Sequence, residues 1–423
     1  MIEIRFKKTD VGEIPEDWEI RTLGSVCRVN GRIGFRGYTT EDLVKEGEGA
    51  YTIGGKHITN NYLDLKNPEF ISWEKYYESP EIMLKKGDIV IAQRGSLGKS
   101  AIINYEIGPA TINPSLVLLN KINCNNYYLN YFLHSKTALN YVFQSNGLTS
   151  IPMISQKQIE QMPLVIPSSL REQQRIATAL NDIDTLLSVL DKKIEKKKNI
   201  KQGVMQQLLT GKKRLAGFTR PWVKKNIAEI CTIKARIGWQ GLKTDEYLDY
   251  GNYVLITGTD FENGGINWLN CSFVSKERFE QDENIKIKQG DVLITKDGSI
   301  GKVAYLDFIP MEGTLNSGVF VVRPKDISHL NNNYLALFFK SKFFEDFISQ
   351  LKAGSTIVHL YQKDFIRLQL NYPNDLSEQA AIVTIFSDMD REIEALEAKR
   401  GKYEQVKQGM MQQLLTGKIR LID

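Results

Sequence analysis

Lys201–Leu215 reads KQGVMQQLLTGKKRL and Lys407–Leu421 reads KQGMMQQLLTGKIRL, one line written twice, 206 positions apart in a chain of 423. Only Val204/Met410 and Lys213/Ile419 differ. A period this long is a duplication of whole domain-plus-helix units, because solenoid repeats run to roughly 20–50 residues. Working outward, Ile14-Pro15-Glu16-Asp17-Trp18 is answered by Arg220-Pro221-Trp222, and Arg32-Ile33-Gly34-Phe35-Arg36-Gly37 by Arg236-Ile237-Gly238-Trp239-Gln240-Gly241. Lys86-Gly87-Asp88-Ile89-Val90-Ile91 is answered by Gln289-Gly290-Asp291-Val292-Leu293-Ile294. These β-branched runs opened by Gly-Asp turns predict strands. Tyr128-Leu129 and Tyr334-Leu335 fall in a short segment with an amphipathic helical pattern. The offset between copies slips by a few residues from motif to motif, so loops vary in length over a persistent framework.

The segment closing each copy has a different period. Ile176, Leu180, Ile183, Leu187, Leu190 and Ile194 are spaced four-three-four-three-four, and Ile382, Phe386, Met389, Ile393 and Leu396 repeat the pattern. That spacing is a coiled-coil seam. Pro167 and Pro373 mark the entries, and Gly211 and Gly417 stand where a helix C-terminal cap belongs. Each helix is expected to run about 35–40 residues, roughly 55–60 Å. A lysine-rich run, Lys192–Lys198, would face Asp388, Asp390, Glu392 and Glu394 if Leu190 lay near Leu396. The match of sign predicts that the two helices pair antiparallel. The domains expected are 1–167 and 214–373, with spacer helices 168–213 and 374–423.

Composition bounds the rest. Hydrophobic content of 42% and charge of 25% are ordinary for a globular protein and exclude a disordered chain. Neither an 18-residue apolar run nor an apolar leader after Met1 is present, so a cytoplasmic location is expected. A net charge of +5 is compatible with nucleic acid without demanding it. Cys27, Cys124, Cys231 and Cys271 show no CxxC spacing, and Cys27 and Cys231 sit at matching places in core-like segments, SVCRV and EICTI. Buried structural thiols are expected there.

Residue by residue, this chain resembles the specificity subunit of type I restriction–modification systems. The resemblance rests on Trp18 and Trp222, the two GD-strand-G-S-x-G-K stretches, Gln156-Lys157 and Gln362-Lys363 before each final strand, Glu172-Gln173 and Glu378-Gln379 opening the helices, and the QQLLTGK endings. It spans essentially the whole chain in order. It implies two α/β target recognition domains in tandem, each followed by a long helix, the helices pairing as an antiparallel coiled coil with pseudo-two-fold symmetry. It further implies that each domain reads one half of a split DNA site, that two methyltransferase subunits dock on the helices, and that nuclease-translocase subunits join them. S-adenosylmethionine, ATP and Mg²⁺ would then sit on those partners, with no cofactor and no metal in this chain. Two departures stand out: His57 in TIGGKHI faces Asp260 in LITGTDF, and Gly354-Ser355-Thr356 is matched by Gly147-Leu148-Thr149-Ser150.

Arg94-Gly95-Ser96-Leu97-Gly98-Lys99-Ser100 is not a nucleotide-binding P-loop. Gln93 and Lys296 occupy the place of the first glycine, and Val303 replaces the Mg²⁺-binding hydroxyl in the second copy. A strand, Ala101-Ile102-Ile103, follows where a helix is required. As a turn between strands, the stretch can offer backbone N–H groups and cations to a DNA phosphate through Arg94, Ser96 and Lys99, or through Lys296, Ser299 and Lys302; a plain hairpin turn is the alternative. In the RIGFR and RIGWQ loops, Phe35 and Trp239 could wedge or stack on bases. The unlike pair Arg36/Gln240 could read guanine and adenine, and the like pair Arg32/Arg236 suits phosphates; the alternative is a core aromatic with surface arginines. Lys56, His57, Thr149, Lys243, Thr259, Ser355 and Thr356 complete the expected DNA-contact set. Gln206, Gln207, Leu209, Lys212, Gln412, Gln413, Leu415 and Lys418 form the expected partner-docking set, because Leu208-Leu209 and Leu414-Leu415 cannot all face one seam. Asn113-Pro114-Ser115-Leu116 fails the methyltransferase Asn-Pro-Pro-aromatic pattern, and His57, His134, His329 and His359 make neither a metal set nor a triad. A non-catalytic subunit of a type I deoxyribonuclease/adenine methyltransferase complex is expected. The rival is a stand-alone DNA-binding regulator or the specificity module of a modification-only system.

Overall fold

The computed structural model describes residues 5–59, 61–145, 152–353 and 359–422. The chain forms two compact units, 1–191 with 398–423, and 192–397. The division falls inside both long helices, so the end of each copy folds into the unit that holds the start of the other.

In the first unit the head is built on two sheets. A six-stranded sheet has the order Arg28–Gly31, Leu116–Asn120, Ile89–Ala92, Ser100–Ile102, Tyr62–Leu63, Ile58–Thr59. Its pairs are antiparallel except where Ile102 meets Tyr62 in parallel. A four-stranded sheet orders Ala110–Ile112, Gly49–Ile53, Phe70–Ser72 and Leu43–Val44. The strands after the Gly-Asp turn form as expected: Ile89, Val90, Ile91 and Ala92 are buried on both faces, so they read as a continuous apolar run without alternation. A separate pair, Trp18–Thr22 with Pro163–Pro167, brings the start and end of the copy together. The second unit repeats the plan with four strands (Cys231–Lys234, Val319–Pro324, Val292–Thr295, Val303–Tyr305) and three (Ser272–Val274, Tyr253–Ile256, Gly313–Leu315). Trp222–Asn226 pairs with Gln369–Pro373.

The long helices are Leu170–Leu208 and Leu376–Leu414, each 39 residues, or about 58 Å. None of the seam residues Ile176, Leu180, Ile183, Leu187, Leu190 and Ile194 exceeds 8% exposure. Ile382, Phe386 and Ile393 are likewise buried, while Met389 and Leu396 are half-buried. Within the first unit Asp184 pairs with Lys407 at 2.6 Å and Asp191 with Arg400 at 2.7 Å. Within the second, Lys197 pairs with Glu392 at 2.7 Å and Lys201 with Asp390. Partner numbers fall on one helix as they rise on the other, so the helices pack antiparallel, as the charge pattern predicts. Lys198 takes Glu397, and Asp388 is held by Arg391 on its own helix.

The short helices Asn126–Leu133 and Asn332–Phe339 are not amphipathic. Six consecutive residues of each are buried, Tyr128–Leu133 and Tyr334–Phe339. In the first, Tyr128 donates to the Val165 carbonyl of the closing strand and Tyr131 to Asp184 of the long helix. A helix wedged between sheet and coil has no solvent face. Cys27 and Cys231 are buried as expected, and desolvation pushes each thiol up to about 12.

Candidate nucleic-acid interface

The repeated line acquires an intramolecular purpose. Arg420 donates to both oxygens of buried Glu172 at 2.6 and 2.8 Å and to Asp17 at 2.8 and 2.7 Å, and its guanidinium lies 5.7 Å from the Trp18 ring centroid. Glu172 also accepts from the Trp18 indole at 3.3 Å. The Arg420 hydrogen bond holds the Asp17 carboxyl below its ordinary range. In the other unit, Arg214 grips Glu378 at 3.0 and 2.5 Å, and Glu378 accepts from Trp222. The neighbouring Gln173 donates to the Pro167 carbonyl and accepts from the Asn125 N–H; Gln379 does the same with Pro373 and Asn331. Gly211 and Gly417 adopt φ of +71° and +70° and end the helices flush against Trp222 and against Pro15 with Trp18. The Trp, Glu-Gln and Gly-Lys-x-Arg motifs are therefore one clasp, made twice.

Both leucines of each pair are buried: Leu208 and Leu209 in one core, Leu414 and Leu415 in the other. Leu209 and Leu415 thus leave the expected docking surface. The helix ends against the head, and the second leucine turns into that head instead of towards a partner. Gln206, Gln207, Lys212, Gln412 and Lys418 are exposed, and Gln413 is half-buried.

Arg32 and Arg236 are also struts. Arg32 is buried, donating to the Ile112 and Arg36 carbonyls and to the Thr111 hydroxyl. Arg236 donates to the Leu315 carbonyl, Thr314 and Gln281. Each ties its loop to the same edge strand, Ala110–Ile112 or Gly313–Leu315, which explains why the two are identical. Desolvation lowers the pKa of both guanidinium groups. Of the unlike pair, Arg36 is half-buried and reaches Glu81 at 3.5 Å, whereas Gln240 is buried with its Oε1 unpartnered among the described residues. Gly34–Arg36 and Gly238–Gln240 are short 3-10 turns; the side chains of Phe35 and Trp239, and all of Thr149, Ser355 and Thr356, lie outside the described residues.

His57 and Asp260 turn out to do one job with different atoms. His57 Nδ1 accepts from the Gly54 N–H at 2.9 Å, so its Nε2 carries the proton and donates to the Asn67 carbonyl at 3.1 Å. Asp260 accepts from the Thr257 N–H at 2.7 Å, three residues before it in the same way. Both are buried loop caps, so the substitution conserves the loop and presents neither group as a base reader.

What remains on the surface is concentrated in the hairpin turns. The turn from Ile89–Ala92 to Ser100–Ile102 leaves Arg94, Ser96 and Lys99 exposed; its counterpart exposes Ser299 and Lys302, with Lys296 half-buried over Phe320. Gly98 and Gly301, at φ +75° and +84°, pack on Val142 and Ile348, so the turn is held against a helix. A hairpin between antiparallel strands bears out the rejection of a nucleotide P-loop. Thr259, Lys243 and Lys56 are exposed, Lys56 beside Glu69. Among the described residues no cluster of His, Cys, Asp and Glu is placed to hold a metal, and no helix is long and apolar enough to cross a membrane.

The family model of the type I restriction modification DNA specificity domain matches this chain twice, over residues 15–202 and 219–408. The chain belongs to this family. It is a type I specificity subunit with two target recognition domains in tandem. It is similar to the type I restriction enzyme MjaVIII specificity subunit of Methanocaldococcus jannaschii, 26% identical over 443 residues that cover 99% of this chain and 97% of that one. The S subunit of a type I restriction–modification system from M. genitalium has the same fold, with a TM-score of 0.56 at 16% identity over 94% of this chain and 96% of that one. A chain from a study of complex assembly and conformational transition in the type I system gives 0.63 at 15% identity, over 96% of this chain and 99% of the other. Sequence reading missed that the constant motifs of this specificity subunit bind one another. The signal was their co-occurrence in both copies.

Proposed function

We propose that the two heads read the two different halves of a bipartite, asymmetric double-stranded DNA site, and that the paired helices set the gap between the halves. The observation that supports this is a constant frame carrying an unlike surface group: the clasp, the Arg32/Arg236 struts, the loop caps and the turn residues Ser96/Ser299 and Lys99/Lys302 recur, while exposed Arg94 is answered by exposed Asp297. On this reading Arg94, Ser96, Lys99, Ser299 and Lys302 lie among the DNA contacts, with Arg36, Lys56, Lys243, Thr259 and Lys296 beside them. Phosphate contacts would position each head, and base edges in the groove would specify sequence.

The chain itself supplies recognition and scaffolding, without catalysis. Two methyltransferase subunits dock along the helices and the exposed Gln206, Gln207, Lys212, Gln412, Gln413 and Lys418, and nuclease-translocase subunits complete the complex. S-adenosylmethionine, ATP and Mg²⁺ belong to those subunits. The helix length of about 58 Å is an upper bound on the ruler; about one DNA turn between half-site centres places both heads on one face of the duplex. The test is to co-express the full chain with its neighbouring methyltransferase and map methylated adenines. A split motif with unlike halves is expected. Inserting one helical turn beside Leu187 together with a matching turn in the second helix should lengthen the gap and leave both halves intact. Altered halves with a fixed gap would refute the ruler, and no methylation in the presence of a co-purifying methyltransferase would refute the reading as a whole.

A further inference from the structure

In each head one backbone crossing sits at the edge of the exposed turn. In the first, Arg94 and Met153 form an isolated antiparallel bridge, and the Ile154 N–H donates to the Gln93 carbonyl at 3.0 Å. In the second, the Leu360 N–H donates to the Lys296 carbonyl at 2.9 Å. The backbone is the same, and so is the frame around it: Gln156 accepts from the Gly31 N–H and Gln362 donates to the Ile233 carbonyl, while Ile33 and Ile237 are both exposed. The side chains that meet at the crossing are unlike. Arg94 Nε donates to the Met153 thioether at 3.1 Å, whereas the equivalent Asp297 pairs with His359, the equivalent of Met153. Beside them Gln93 is answered by Lys296 and Ser155 by Tyr361.

Packing does not require this change. Arg94 is exposed, Met153 is 44% exposed, and the side chains of Asp297 and His359 are 45% and 27% exposed. In the first head the crossing borders a cleft of about 550 Å³ lined by Arg32, Ile33, Gln93, Arg94, Met153 and Lys157, among others. Of these, Arg32 is tied to the edge strand, which leaves Arg94 and Lys157 as cations at the rim. The thioether contact engages Nε, and a bidentate contact can be made through the two terminal nitrogens. At the matching place, the second head offers a carboxylate steadied by an imidazole.

We infer that residues 94 with 153, and 297 with 359, are the specificity-determining pairs of the two heads. Arg94 reads the O6 and N7 acceptors of a guanine, and Asp297 accepts from the exocyclic amine of a cytosine or adenine. The inference rests on the proposal that each head binds duplex DNA, and deepens it by naming the reading groups.

The test uses the full chain in complex with its methyltransferase and a site recovered by selection from random duplexes. Competition binding then compares that site with duplexes in which each base pair is substituted in turn. R94Q should erase discrimination at one G·C pair of one half-site, a loss of roughly 5- to 150-fold, and R94K, which keeps a donor for guanine without the planar fork, should lose only part of it. Ratios at all other pairs should stay within about twofold. D297N should do the same at one pair of the other half-site. A uniform weakening across every duplex would mark phosphate contacts and overturn the inference, as would unchanged ratios or both variants acting on one half-site. If the wild-type complex selects no duplex at all, the DNA-reading proposal fails first, and the two failures are distinct. Melting temperatures within a degree or so of wild type, expected of exposed residues, show that a loss of discrimination is not a loss of fold.

Discussion

Arg420→Ala tests the clasp that holds the start and end of the first unit. Glu172 is 2% exposed and is met by two Arg420 nitrogens and one indole N–H. Removing the guanidinium leaves a buried carboxylate with the indole alone. Breaking a buried pair from one side costs about 3–5 kcal/mol. Asp17, whose side chain is 65% exposed, adds little because solvent screens it. For a unit of this size each kcal/mol moves Tm by about 2–4 °C, so the first unit should melt roughly 6–20 °C lower. Arg214→Ala should act in the same direction on the second unit but less strongly. Its side chain is 26% exposed against 7% for Arg420, and Pro221 stands where Asp17 stands in the first copy. Scanning calorimetry of the full chain reads the loss, and hydrogen exchange at Trp18–Thr22 against Trp222–Asn226 tells which unit has opened. Adding Glu172→Gln to Arg420→Ala removes the stranded charge and should return about half of the stability. A variant within about 1 kcal/mol of wild type, or exchange rising equally in both units, would refute the clasp as a determinant of the fold.

The remaining predictions concern the helix caps, the seam and pH. Gly417→Ala should cost more than Gly211→Ala, since both glycines hold positive φ but a Cβ at 417 would meet the ring of Pro15, whereas at 211 it meets Trp222 at 3.2 Å; thermal melts should show a loss of at least about 1 kcal/mol for either. Reversing Lys197 and Lys201 to glutamate should cost about 1–3 kcal/mol, and reversing Glu392 and Asp390 to lysine as well should restore most of it; a full quadruple variant no more stable than the doubles would refute the pairing. Desolvation holds the half-buried His134 neutral, with its pKa lowered to about 4 against an ordinary 6.5. The folded state therefore refuses a proton that the unfolded chain accepts: the stability is complete above pH 6.5 and is lost as pH falls towards 4, up to about 3 kcal/mol over that window. His134→Gln should flatten that slope, so urea midpoints at pH 7.5 and 5 should differ less in the variant than in the wild type.

The sequence by itself determined the duplication, the two long helices, their antiparallel sense and the strands after each Gly-Asp turn. These are local or periodic properties: a four-three spacing makes a seam, opposite charge runs choose a direction, and a β-branched run after a tight turn makes a strand wherever it is placed. Tertiary structure decided what the polar residues are for. Arg32 and Arg236 look like phosphate contacts in a glycine-rich loop until the edge strand is seen to take their donors. His57 and Asp260 look like a difference in reading until each is found accepting from a backbone N–H three residues before it. Leu209 and Leu415 look like a docking face because a seam has room for only one of two adjacent leucines; a head packed against the helix end takes the other. The repeated KQGxMQQLLTGKxRL line is the plainest case. Its sequence says that two copies must stay alike, and only the fold, by bringing Arg420 to Glu172 and Arg214 to Glu378, says that they stay alike to close the chain upon itself. A polar side chain's role depends on which partners reach it: three residues away for His57 and Asp260, about 80 for Arg32 and Arg236, and more than 150 for the two clasps, and no residue pattern around the side chain names them.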